Sequence, residues 1–171
     1  MAREKNRSIG RILEGRQATL VPGAPNALFA RIIEDLGFEA VYVTGAGIAN
    51  MQLGVPDIGL TSLNEIVYNV TCVAEAVEIP IIVDADTGFG NTQNCYRSIR
   101  LLEKAGSSAI QIEDQIFPKK CGHFSGKAIV PTMEMTNKIK AAVDARVDTE
   151  MKIIARTDAR GISGINEALD R

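Results

Sequence analysis

The chain is short of the residues from which many protein sites are built. Its 171 residues include one histidine and three cysteines. A lone imidazole excludes a histidine-rich metal centre. Cys72, Cys95 and Cys121 are odd in number, and their spacing matches neither a CxxC pair nor a disulfide framework. That pattern points to a reducing, cytoplasmic setting, with an organelle such as the mitochondrion also compatible. Charge of one sign is missing too: 19 basic and 21 acidic residues leave a formal charge of −2. Neither nucleic acid nor an anionic membrane is therefore an expected partner. Residues 1–16 are charged and carry no apolar core, so they do not read as a secretory signal. No later stretch is apolar for long enough to span a bilayer. Low-complexity tracts and linkers are absent as well, which predicts a single domain over 1–171 with a sizeable core.

What is present is a regular alternation of short apolar runs and amphipathic segments. Thr19 to Pro22 predicts a first buried strand, and Asn26 caps a helix with Leu28, Phe29, Ile32, Ile33 and Leu36 at helical spacing. Gly37 stands where that helix needs a left-handed residue to stop. Ala40 to Val43 predicts a second strand, followed by a turn at Thr44-Gly45-Ala46-Gly47. Ser62 to Val77 is the clearest helix, opened by a Ser62–Glu65 capping box. Ile79 to Val83 has no polar alternation, as in a strand covered on both faces. A helix from Asn91 to Ala105 follows, with Cys95, Ile99 and Leu102 inward and Gly106 as its stop. A strand at Ala109 to Ile112, a helix at Thr132 to Arg146, a strand at Lys152 to Ala155 and a helix from about Ser163 complete the pattern.

Strand and helix alternating about five times predict parallel strands with helical crossovers. Either a doubly wound open sheet or a (β/α) barrel has that order. The barrel is the better expectation, because polar residues recur at the C-terminal ends of strands two to five. In a barrel those ends ring one pocket, whereas an open sheet gathers them at a switch point. A full barrel has eight strands and typically ~250 residues, so about five units are expected here.

Chemistry-bearing residues concentrate at those strand ends. Asp84 and Asp86, two apart, offer hard oxygen ligands suited to Mg²⁺ or Mn²⁺. They also suit a solvated acidic loop in which Asp86 caps the turn. Glu113 and Asp114 add acid at the next strand end. Beyond them, Lys119-Lys120-Cys121-Gly122-His123 places a thiol among cations, which favour its thiolate. Cys121 is thus a candidate nucleophile or general acid, while Cys72 and Cys95 read as small core hydrophobes. His123 is either structural or a substrate hydrogen-bond partner. Arg156 either meets Asp158 or another acid, or clamps a substrate carboxylate. Thr44 to Gly47 offers backbone N–H groups to an anion.

These segments together resemble a known family. The Lys119–His123 motif, Asp84-Ala85-Asp86-Thr87-Gly88-Phe89-Gly90, Tyr42-Val43-Thr44-Gly45, Pro56-Asp57, Ile112-Glu113-Asp114-Gln115 and Ala155-Arg156-Thr157-Asp158 are similar, in order, to segments of the isocitrate lyase and phosphoenolpyruvate mutase superfamily. The resemblance runs from about Thr19 to the end. It implies a (β/α)8 barrel whose C-terminal units are missing from this chain, a Mg²⁺ or Mn²⁺ cofactor, and an α-oxo or α-hydroxy carboxylate substrate. Lyases of the superfamily use this thiol, and phosphoenolpyruvate mutases have a different loop there. The compact spacing is similar to that of 2-methylisocitrate lyases, 2,3-dimethylmalate lyases and carboxyvinyl-carboxyphosphonate phosphorylmutases. The activity implied is metal-dependent carbon–carbon cleavage of a 2-hydroxy di- or tricarboxylate, with phosphonomutase chemistry or an inactive assembly partner as alternatives.

By the same resemblance, Asp84 and Asp86 hold the metal, with Glu113 near it. Thr44, Gly45 and Ala46 bind the oxo-acid carboxylate, Ala46 standing where many relatives have a second glycine. Tyr42, Asp57, Gly122 and His123 line the site, and Arg156 holds substrate. Cys121 acts as general acid, tuned by Lys119 and His123. A homotetramer is the implied assembly. The isolated five-unit chain is expected to be poorly active.

Overall fold

The computed structural model describes residues 2–15 and 18–171. Five strands, β1 (Gly23–Ala24), β2 (Val41–Val43), β3 (Ile81–Asp84), β4 (Ala109–Glu113) and β5 (Lys152–Arg156), form one parallel sheet in the order β1-β2-β3-β4-β5. A doubly wound sheet reverses its strand order at a switch point, whereas a barrel winds in one direction. Strictly sequential pairing therefore decides between the two expected architectures: this is an α/β fold of five consecutive barrel units.

The helices are α1 (Ala2–Glu14), α2 (Ala27–Asp35), α3 (Gly45–Ile48), α4 (Leu63–Ala76), α5 (Thr92–Ala105), α6 (Thr132–Ala145), α7 (Arg160–Ser163) and α8 (Ile165–Asp170). Their starts follow local chemistry. Asn26 accepts from Phe29 N, Ser62 and Glu65 close a reciprocal capping box, and Asn91 accepts from Gln93 N and Asn94 N. Gly37 and Gly106, with φ of 84° and 110°, end α2 and α5. Among the described residues no helix is long and apolar enough to cross a membrane.

Strand periodicity gives the sheet two different faces. Val41, Val43, Ile81, Val83, Ile110 and Ile112 pack outward against helices in the main core, together with Cys95, Ile99 and Leu102 of α5. Tyr42, Ile82, Ala109 and Ile154 point the other way, into a second cluster shared with Ile9 and Ile12 of α1. On that inner face the register sets Tyr42 beside Ile82, Ile82 beside Ala109, Asp84 beside Gln111, and Glu113 beside Arg156. The inner face is thus apolar towards the strand starts and polar towards the strand ends. Lys5 of α1 donates to Val77 O, and Asn6 donates to Asp148. Helix α1 therefore covers the N-terminal end of the sheet and leaves the C-terminal end free.

Several expectations need correction. The strand expected at Thr19 to Pro22 lies later, at Gly23–Ala24, and Leu20 is exposed. As an edge strand β1 pairs only with β2, so its flank needs no burial. Leu28, Phe29, Ile32 and Leu36 are exposed, and the buried face of α2 is Ala30 and Ile33. Helix α2 packs chiefly on β1, β2 and α4, and its apolar stripe is wider than the part that is covered. The turn expected at Thr44 to Gly47 is the start of α3, with Thr44 as its N-cap, continuing into a π-helical turn at Ala49–Leu53. Strand β5 is partly open, because it is the other edge of the sheet. Helix α1 itself was not legible: its apolar residues are few and scattered among charges.

Candidate active site

The C-terminal ends of β2 to β5 bring their polar residues into one place. Asp84 ends β3 and is buried. The chain then turns sharply: Asp86 takes a left-handed φ of 47°, held by donation from its own N–H to Asp84 Oδ1 at 3.1 Å. Strict strand alternation therefore stops at Asp84, yet both carboxylates still converge. Asp84 Oδ2 and Asp86 Oδ1 each lie 3.4 Å from the place a Gly45 Cβ would take, at the start of α3.

Lys119 closes the ring from the loop after β4. Its ammonium lies 2.5 Å from Asp57 Oδ1 and 2.8 Å from Asp86 Oδ1, and its side chain is only 4% exposed. On the β5 side, Arg156 Nη1 lies 3.3 Å from Glu113 Oε2, and Nη2 lies 3.3 Å from Asp158 Oδ1. Arg156 is thus paired with acids on both sides. Glu113 is buried and, among the described residues, its Oε1 has no hydrogen-bond partner.

Four buried carboxylates, Asp57, Asp84, Asp86 and Glu113, face two cations, Lys119 and Arg156. Their proton affinities reflect that imbalance. Burial first, and the Asp84 charge next, push Asp86 up to about 6 despite Lys119. Burial pushes Glu113 up to about 8, against the pull of Arg156. Burial and the Asp84 carboxylate also raise the Tyr42 phenol. Burial disfavours the Lys119 ammonium, but Asp86 and Asp57 outweigh it and its proton is held more tightly than usual. Excess negative charge in a low-dielectric site favours any cation that enters.

The thiol loop sits over this ring. Cys121 N–H donates to Asp57 O at 3.0 Å. A Cβ on Gly122 would fall 2.7 Å from Arg156 Nη2, so the loop backbone lies directly against the guanidinium. Lys127 donates to Gly122 O and pairs with Asp158. Two expected arrangements differ. Lys119 is committed to two carboxylates rather than to the thiol, and Lys120 donates to Gly126 O. His123 is exposed at the rim. Nor does Asp114 join the acids: it accepts from Thr157 Oγ1 at 2.6 Å and Asp158 N at 2.9 Å, and pairs with Arg171 at 2.9 Å. It ties β4 to β5 from outside the ring.

Two participants escaped the sequence reading. Gln111 donates to the Tyr42 hydroxyl at 2.9 Å. Counting back two residues from Glu113 would have found it on the same face. Lys138 of α6 is buried and donates to Thr87 O at 3.2 Å, beneath the Asp86 turn. No local pattern signals it, because the two residues are 51 apart.

Among the described residues no three of His, Cys, Asp and Glu form a ready metal cage. The donor set still fits a Mg²⁺-type ion, which needs only one or two carboxylates and keeps its waters. Asp84 and Asp86 provide the two hard oxygens, and the unpartnered Glu113 Oε1 provides a buried acceptor in the same ring. The surplus negative charge points the same way.

Comparisons with known proteins identify relatives of the chain. The chain is 51% identical over 160 residues to a 2,3-dimethylmalate lyase of Eubacterium barkeri, covering 94% of this chain and 55% of that protein. It is 48% identical over 160 residues to a 2-methylisocitrate lyase of Aeropyrum pernix, covering 94% and 51%. The chain thus spans about half the length of these relatives. A solved 2,3-dimethylmalate lyase, described as a PEP mutase/isocitrate lyase superfamily member, superposes with a TM-score of 0.91 at 36% identity over 97% of this chain and 56% of that one. A phosphonopyruvate hydrolase in complex with oxalate and Mg²⁺ superposes with a TM-score of 0.84 at 32% identity, over 96% and 56%. Residues 10–171 match the family described as phosphoenolpyruvate phosphomutase, and the chain belongs to that family, within the PEP mutase/isocitrate lyase superfamily.

Proposed function

We propose that this chain carries the catalytic half-ring of a divalent-metal-dependent carbon–carbon lyase, acting on a 2-hydroxy di- or tricarboxylate such as 2-methylisocitrate or 2,3-dimethylmalate. One observation supports it above the others: Lys119 bridges Asp57 and Asp86, which sets the Cys121 loop over the strand-end carboxylates. The Cys121 backbone, the acids and the cations then belong to one cluster at the strand ends.

When bound by Asp84 and Asp86, Mg²⁺ or Mn²⁺ supplies Lewis acidity that eases ionisation of the substrate hydroxyl. Backbone N–H groups of Gly45 and Ala46, with Tyr42 and Arg156, orient the oxo-acid carboxylate. Glu113 Oε1, buried and unpartnered among the described residues, takes the hydroxyl proton when its own carboxyl is ionised. The O–H bond breaks, a C=O bond forms, and the adjoining C–C bond breaks with its electron pair on the departing fragment. Lys119 and Arg156 offset the charge that develops. The Cys121 S–H delivers its proton to the carbanion, leaving a thiolate to be reprotonated before the next turnover. Gly122 and His123 border the leaving fragment.

Phosphonomutase chemistry, forming or moving a carbon–phosphorus bond, is the second reading, and the match over residues 10–171 to the family described as phosphoenolpyruvate phosphomutase favours it. The thiol at position 121 favours the lyase. A homo-oligomer, tetrameric in the intact protein, goes with either reading. A substrate panel decides: pyruvate or a related oxo-acid released from 2-methylisocitrate or 2,3-dimethylmalate with Mg²⁺ supports the lyase, whereas new phosphonate signals by ³¹P NMR overturn it. Cys121→Ser should lower turnover far more than substrate binding. Undiminished turnover would remove the thiol from the chemistry.

A further inference from the structure

Gln115 belongs to no acid, cation or thiol of the proposed mechanism, yet it is only 1% exposed. All of its side-chain hydrogen-bonding atoms are engaged. Its Nε2 donates to Lys120 O at 2.9 Å and to Asp158 Oδ2 at 2.8 Å, and its Oε1 accepts from Lys120 N–H at 2.9 Å. Lys120 directly precedes the thiol. Asp158 pairs with Arg156 on β5 and with Lys127, which itself holds Gly122 O. One amide therefore joins both flanks of the Cys121 turn to the arm that carries Arg156.

We propose that Gln115 is a positioning residue that sets the Cys121 thiol against Arg156 and the carboxylate ring. The chemistry asks for an amide. The site needs two donors and one acceptor from a single planar group, and an ionised carboxylate has no donor. Glutamate there would also set two acids against each other at Asp158. An apolar side chain of similar length would leave the Lys120 N–H and C=O without their amide partners, which favours loop positions where both reach water. The loop returns to the sheet beyond Gln115: Ile116 N donates to Ala128 O and Val130 N donates to Asp114 O. Freed of the amide, the Lys120–Gly122 turn keeps the Lys119 and Lys127 pairs and the Cys121 N–H bond to Asp57 O but loses its direct tie to Gln115, so the thiol gains room while the two ends of the loop stay fixed. The inference rests on the lyase reading for what the thiol does, but not for where it is held.

The test reads the thiol directly. Iodoacetamide labelling of the whole chain, resolved by peptide mass mapping, gives separate rates for Cys121 and for Cys95, which is fully buried in α5. Gln115→Met should raise the Cys121 rate by about tenfold, the worth of roughly one net hydrogen bond or a little more, and leave Cys95 protected. Gln115→Glu at neutral pH should do the same. Either an unchanged Cys121 rate in both variants, or Cys95 labelling that rises in step with Cys121, overturns the proposal; the second outcome makes Gln115 a residue of the fold as a whole. Catalytic assays separate the two readings: turnover that survives Cys121→Ser sinks the lyase mechanism and leaves the labelling result standing.

Discussion

Replacing Glu113 with glutamine should change how stability depends on pH more than it changes stability itself. Glu113 is 3% exposed, carries an unpartnered Oε1, and shares its other oxygen with Arg156 at 3.3 Å. Burial moves its carboxyl from 4.5 to about 8. The folded chain thus holds the proton up to about 8, whereas the unfolded chain releases it near 4.5. Between those values the folded state binds more protons, so stability falls as pH rises and levels off above about 8. At about 1.4 kcal/mol per pH unit, the loss is on the order of 4 kcal/mol, a large share of the 5–15 kcal/mol typical of a domain. Glutamine keeps the shape and cannot ionise. Urea unfolding in chelator at pH 5, 7 and 9 measures both proteins, and contributions from Asp86 and other groups cancel in the difference. The wild-type protein should lose several kcal/mol relative to Glu113→Gln between pH 5 and 9. Parallel curves would show that Glu113 is not forced to ionise in a buried, acid-rich site, and the account of surplus negative charge would fail with it.

Lys119→Met should strand Asp57 and Asp86 without their shared cation and cost about 3–5 kcal/mol, lowering the melting temperature by about 10 °C. Mg²⁺ should recover more stability in the variant than in the wild type; equal Mg²⁺ effects in differential scanning fluorimetry would argue against a cation site beside Asp86. Gly106→Ala should cost about 2–4 kcal/mol in urea unfolding, because the position has φ of 110° and a new Cβ would meet Ala74 Cβ at 2.6 Å; a neutral result would mean that α4 and α5 can part without penalty. Asp86→Ala should weaken Mn²⁺ binding measured by paramagnetic titration, and an unchanged affinity would remove Asp86 from the ligand set.

The parts legible beforehand share one property: short-range chemistry decides them. The caps at Asn26, Ser62 and Asn91 and the glycine stops at positions 37 and 106 follow from hydrogen bonds and φ preferences within a few residues. The unbroken apolar run Ile79 to Val83 announced a strand, β3, covered on both faces. Expectations failed where neighbours decide. An apolar stripe on α2 says nothing about how much of it a neighbouring helix covers. Sparse apolar residues in α1 mean little until Ile9 meets Ile82 and Ala109 on the inner face.

The same division holds at the site. Spacing along the chain put two aspartates at a strand end and a thiol among cations, and the order of strands and helices put those strand ends on one side of the molecule. Which cation neutralises which acid was beyond its reach. Lys119 stands two residues before Cys121, yet its charge belongs to Asp57 and Asp86, from different loops. Asp114 neighbours Glu113 but turns outward to Thr157 and Arg171. Local hydrogen bonds and side-chain periodicity act over a few residues and are written in the order of amino acids. Burial and charge pairing act across space, so only the folded chain decides them.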